Sequence, residues 1–186
     1  MKPVFLTGYM CSGKSTLGRE LAEQMHLQFI DLDDFIEQEQ GMTINRLFST
    51  LGERRFREIE TDALRRMVAL TDVVISCGGG TPCQPGNMDL MNSHGLTVWL
   101  WTSPERIIAR LLLPEHRAKR PATVGLSDEQ IATKVHSQLS LRNQYYAEAK
   151  IKFDSTLIET ADETVLTAAR LAKVVLEALD GREFGD

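Results

Sequence analysis

Near the start of the chain, Gly8-Tyr9-Met10-Cys11-Ser12-Gly13-Lys14-Ser15-Thr16 sets two glycines, a lysine and two hydroxyls at fixed spacing. The pattern G-x-x-x-x-G-K-[ST] suits the cradling of a polyphosphate. Gly8 and Gly13 let the backbone curl until its N–H groups converge on phosphate oxygens. A helix beginning near Lys14 adds the positive end of its dipole. Lys14 supplies a mobile charge for the β- and γ-phosphates, and the Ser15 hydroxyl can ligate Mg²⁺. Gly8, Cys11, Ser12, Gly13, Lys14, Ser15 and Thr16 are therefore the expected ATP-binding residues.

Other residues have the chemistry to work beside that cradle. Asp31 and Asp33 close an apolar run, at the edge of a parallel sheet where ligands bind. Alternate residues of a strand point to opposite faces, so both carboxylates serve one site only if the chain is already turning. One could hold Mg²⁺ through water and the other orient or deprotonate an attacking hydroxyl; equally, both could simply favour a helix start. Gly78-Gly79-Gly80 follows another apolar run and implies a close approach to backbone, or a sharp turn. Ser76 stands where many such proteins carry a metal-binding aspartate, which leaves Asp31 as the candidate metal ligand with Ser15. Arg57 and Arg142 each present a planar fork that matches a carboxylate, although arginines at such positions are often plain surface charges. Residues 112–125 combine prolines with basic side chains, Arg120 among them, and read as a lid that would bring positive charge to a transferring phosphoryl.

The elements that must position these groups follow from periodicity. Strands are predicted over 4–7, 29–32, 73–76, 97–101 and 151–154. Helical spacing runs over 14–25, over 33–70 with breaks near Gly41 and Gly52, from 88, over 104–112, over 127–147 and over 163–179. Ser127 with Gln130 has the form of a capping box. Alternation of strand and helix predicts an α/β fold, a doubly wound parallel sheet with helices on both faces.

Composition narrows the setting. The 186 residues suit a single domain spanning 1–186, with a core over about 3–180. A hydrophobic fraction of 42% and a charged fraction of 25% are ordinary for a soluble protein. The formal charge of −5 argues against a nucleic-acid or membrane binder but not against a small site with local positive charge. Cys11, Cys77 and Cys83 lack the spacing of a disulfide framework or a zinc site. No targeting or membrane segment is evident, which predicts a cytosolic protein with small-molecule partners, and no long apolar stripe suggests more than a monomer.

Taken in order, these features resemble the shikimate kinase family, among the small P-loop kinases. The likeness runs over about 3–146: the P-loop, Asp31-Leu32-Asp33, Gly52-Glu53-x-x-Phe56-Arg57-x-x-Glu60, the three glycines, Arg120-Pro121, and Leu139-x-x-Arg142-x-x-x-Tyr146. The resemblance implies a five-stranded P-loop NTPase sheet of order 2-3-1-4-5 and transfer from ATP to the 3-hydroxyl of shikimate. It implies that Asp33, Arg57, Gly79, Gly80 and Arg142 hold shikimate, residues 33–61 forming much of that wall. Asp33, Lys14 and Arg120 would act on the reaction, Arg120 also binding ATP, and Ser15 with Asp31 would serve Mg²⁺. Ala122 departs from the leucine usual after the lid Arg-Pro. Met10 and Cys11 replace smaller residues, and Cys11 near a helix N-terminus reads first as a tolerated side chain and only second as an oxidation-sensitive thiol. No arginine after the fifth strand offers itself to stack on adenine. Two other readings are a kinase for gluconate or a nucleoside monophosphate, and a nucleotide switch without transferase activity.

Overall fold

The computed structural model describes residues 1–114, 123 and 125–181. Among them, five strands form one parallel sheet of order β2-β3-β1-β4-β5. The strands are β1 Val4–Thr7, β2 Gln28–Asp31, β3 Val73–Ser76, β4 Leu96–Trp101 and β5 Ile151–Asp154. The helices are α1 Lys14–Gln24, α2 Leu32–Gln40, α3 Ile44–Met67, α4 Asn87–His94, α5 Pro104–Leu112, α6 Asp128–Tyr146 and α7 Ala161–Leu179, with a 3₁₀ turn at Thr81–Cys83.

Alternation along each strand decides which layer it builds. Val4 and Leu6 of β1 face α1 and α7, packing with Leu17, Leu21, Leu171 and Val175. Phe5 points the other way, into Leu32, Ile36, Phe56, Leu64 and Met91 of α2, α3 and α4. A third cluster forms where α5 and α6 cover β4, joining Trp99, Ile107, Val135, Leu139 and Tyr146 to the P-loop residue Tyr9. Both faces of the sheet are thus buried, and the central strands β1 and β3 are buried at every position.

Local chemistry sets the element ends that matter here. The Asp31 carboxylate accepts the Asp33 N–H at 3.1 Å and so caps α2. Leu32 is drawn into the helix, and β2 lies one residue earlier than the apolar pattern suggests. The long helix α3 is interrupted at Gly52, which has φ 77 and ψ 164, in line with the break expected there. The Ser127–Gln130 capping box forms as expected. A second one, Thr160 with Glu163, starts α7 two residues before the predicted start at Glu163.

Register then aligns the functional rim. Leu6 pairs with Ser76, and Ser76 with Asp31, so β1, β3 and β2 deliver the P-loop, Ser76 and Asp31 to one level at the carboxyl edge. Phe5 has no exposed surface and anchors β1 against the helices that carry Asp33 and Arg57. Phe5→Ala is expected to lower stability by about 3–5 kcal/mol, read as a fall in urea midpoint at an unchanged m-value.

Candidate active site

The loop after β1 has the shape its glycines permit. Gly13 sits at φ 93 immediately before α1, and Gly8 lies at φ 136, where an added Cβ would stand 2.7 Å from the Leu100 carbonyl. Lys14 Nζ donates to the carbonyls of Gly8 at 2.9 Å and Tyr9 at 2.8 Å, folding its ammonium over the loop. The Ser12 N–H closes a turn on Tyr9 O at 3.2 Å, while its hydroxyl is buried in the interior. Cys11 takes a left-handed φ of 60, and its carbonyl accepts from Arg110 Nη1 at 2.8 Å. Thr16 lies in the first turn of α1 and lines the same cavity.

The metal-ligand candidates meet. Ser15 Oγ donates to Asp31 Oδ2 at 2.7 Å and lies 3.5 Å from Ser76 Oγ. A carboxylate and two hydroxyls are the hard oxygen donors that Mg²⁺ prefers, so the residues fit such an ion.

The three glycines after β3 draw together the residues expected to hold an acceptor. An added Cβ on Gly78 would stand 2.9 Å from Glu60 Oε1 and 3.0 Å from Asp33 Oδ1. On Gly80 it would collide with the Arg57 guanidinium at 2.6 Å, and on Gly79 it would lie 3.5 Å from Gly8 O and 3.9 Å from Arg142 Nη1. The turn over 78–80 is therefore packed between the P-loop, two acids and two arginines, and the plain-turn reading of these glycines does not hold. Asp33 and Asp31 both reach the cavity because the chain turns at Asp31, as the parity argument required.

Arg57 is fixed rather than solvated. It donates from Nη1 to Glu60 Oε2 at 2.8 Å and from Nη2 to Glu53 Oε1 at 3.3 Å. Its guanidinium lies over the rings of Phe48 and Phe56, at 5.4 and 5.2 Å from their centroids. Glu60, 1% exposed, also accepts the Thr81 hydroxyl at 2.5 Å. Arg142, on α6, stands 5.7 Å from the Tyr9 ring centroid. One turn further on, Tyr146 donates its hydroxyl to Gly79 O at 2.6 Å. Burial pushes the Tyr146 phenol up, so it remains a donor.

Some site residues escaped the sequence argument. The cavity, of about 490 Å³, is lined by Lys14, Ser15, Asp31, Asp33 and Gly79, and also by Arg110, Leu113, Ile158 and Glu159. Arg110 is 5% exposed and held by Cys11 O, Thr156 O and Glu159. The sequence assigns no arginine after β5 to a nucleotide, and Arg110 of α5 lines the cavity beside the P-loop. Glu60 had a motif position but no role until its burial was seen. Arg120 and most of the lid expected over 112–125 lie outside the described residues.

A P-loop facing an acid and two arginines across the rim of a parallel sheet defines a small P-loop kinase. Comparison with known proteins narrows the class. The family model for shikimate kinase matches residues 10–178. A shikimate kinase of Parabacteroides distasonis is 41% identical over 94% of this chain and 100% of its own. The crystal structure of a Bacteroides thetaiotaomicron shikimate kinase superposes with a TM-score of 0.90 at 35% identity, covering 94% of this chain and 98% of that one. An Acinetobacter baumannii shikimate kinase in complex with shikimate gives a TM-score of 0.80 at 27% identity, covering 100% and 96%. The chain belongs to the shikimate kinase family.

Asp33 carries the most perturbed acid of the cavity. Its side chain keeps partial exposure, yet its carboxyl is enclosed by the cavity wall. Burial first, then the charges of Asp31 and Glu60, push it up to about 7 against the opposing pull of Lys14 and Arg57. The folded protein therefore keeps a proton that the unfolded chain releases near pH 4. Stability falls as pH rises from there through about 7 and is level above it. Asp33→Asn is expected to raise the stability of the ligand-free protein at pH 8 by on the order of 1–3 kcal/mol, allowing for partial exposure, and to change it little at pH 4. Urea unfolding at both pH values checks this; an equal effect at the two would show that Asp33 does not titrate in the window.

Proposed function

We propose that the protein transfers the γ-phosphoryl of ATP to the 3-hydroxyl of shikimate, giving ADP and shikimate 3-phosphate in aromatic amino-acid (chorismate) biosynthesis. The observation that carries this reading is the packing of the 78–80 turn. It sets Asp33, Arg57 and Arg142 against the P-loop within one wall, as an acid-bearing alcohol beside a terminal phosphate requires.

Arg57 and Arg142 would hold the acceptor carboxylate through charge-assisted hydrogen bonds, with the backbone of Gly79 and Gly80 as the floor beneath the ring. Asp33, titrating near neutrality, is suited to accept the proton of the attacking hydroxyl or simply to aim it. The reaction places little covalent demand on the protein, so alignment and charge carry most of the acceleration. The backbone of Cys11, Ser12, Gly13 and Thr16 would cradle the phosphates. Lys14 would exchange its two backbone carbonyls for phosphate oxygens, and Arg120 would add a second positive charge. Mg²⁺, held at Ser15 and Asp31, would neutralise charge on the nucleotide phosphates.

The setting that accompanies this reading is a monomeric, single-domain cytosolic enzyme whose partners are ATP and shikimate. Among the described residues, no helix is long and apolar enough to cross a membrane.

Two kinetic outcomes are expected, with ADP release followed while shikimate, quinate, gluconate and AMP are offered in parallel. Asp33→Ala should lower kcat with shikimate by about 10²–10⁴-fold while equilibrium binding of ATP survives. Wild-type turnover in that variant would remove Asp33 from the mechanism. Arg142→Ala should raise the KM for shikimate by about 10- to 100-fold and leave the KM for ATP near its wild-type value. Unchanged constants would mean that the carboxylate is gripped elsewhere.

A further inference from the structure

We infer that Tyr9 is a positioning residue for the acceptor, linking the nucleotide cradle to the arginine that grips the acid. The inference rests on the shikimate reading above and adds to it a route between the two halves of the pocket.

Tyr9 occupies a variable position of the P-loop, yet it is only 2% exposed, its ring packed among Trp99, Leu139 and Tyr146. Three groups meet it at three different points. Its backbone carbonyl accepts Lys14 Nζ at 2.8 Å. Its hydroxyl donates to Gln138 Oε1 at 2.6 Å. Its ring lies 5.7 Å below the Arg142 guanidinium. Gln138 and Arg142 are four residues apart on α6 and therefore neighbours on one helix face. Tyr146, four further on, reaches Gly79 O at 2.6 Å. One face of α6 is thus fastened to the P-loop at its upper turn and to the glycine turn at its lower one, with Arg142 between the two.

The physical consequence follows from stiffness. A ring enclosed in a close-packed cluster moves as a rigid body with its backbone. Held by Gln138, the Tyr9 hydroxyl fixes the helical turn that aims Arg142, and its loss should loosen that arginine while leaving the backbone of the nucleotide cradle as it is.

The test is a double-mutant cycle on the purified enzyme, with Tyr9→Phe, Gln138→Ala and the pair together. Tyr9→Phe keeps the ring under Arg142 and removes only the hydroxyl. Each single change is expected to raise the shikimate KM about three- to tenfold, the range of one hydrogen bond. kcat and the KM for ATP should stay within about twofold, and the double variant should be no worse than the worse single one. A shikimate KM at the wild-type value, a parallel rise in both KM values, or additive effects would each overturn the inference. Gln138→Ala, on a half-exposed side chain, decides alone should Tyr9→Phe fail to fold. Wild-type enzyme that leaves shikimate untouched would instead overturn the acceptor assignment itself.

Discussion

Backbone without side chains at 78–80 lets opposite charges share a small volume, and the geometry of the pocket depends on that. A single methyl group at Gly78 would crowd the carboxylates of Glu60 and Asp33, and one at Gly80 would occupy the place of the Arg57 guanidinium. Charged groups this enclosed persist only when paired and hydrogen-bonded. The turn makes pairing possible by bringing Thr81 to Glu60 and leaving Arg57 between Glu53 and Glu60. Arg57 is consequently held in place by Glu53 and Glu60 without any ligand, which would lower the ordering cost of binding an anion there.

Glu60 and Asp33 illustrate how neighbouring acids acquire different tasks. Glu60 is fully enclosed but receives a guanidinium and a hydroxyl directly. Asp33 stands close to Glu60 and Asp31, while Lys14 and Arg57 act on it through space. Its carboxyl therefore holds a proton near neutrality. The lack of a direct cationic partner among the described residues leaves burial and the neighbouring acids to dominate at Asp33.

Much of this arrangement could be read from residue types and spacing. The strand and helix alternation, the P-loop and the capping box at Ser127 all follow from local patterns, whereas the sheet order is implied only by the family resemblance. Such patterns depend on neighbours three to five residues away, whose contacts the chain itself dictates. The ends were less legible. The second strand reads as continuing to residue 32, yet the Asp31 carboxylate captures the Asp33 N–H and ends the strand there. Arg110 carries no assignment from the sequence, because its acceptors at Cys11, Thr156 and Glu159 are far away along the chain.

By itself, the sequence determined the nucleotide chemistry and the class of fold, since a glycine-rich loop between strand and helix needs only its own backbone to form an anion cradle. Tertiary structure decided the rest of the wall: which face of α3 and α6 turns inward, that Gly79 lies beside the P-loop, and that Tyr9 is buried under Arg142. These facts join residues as far apart as Tyr9 and Gln138 or Gly79 and Tyr146. No local rule specifies such contacts, because they exist only once the parallel sheet has set its strands in register and the helices have closed over both of its faces.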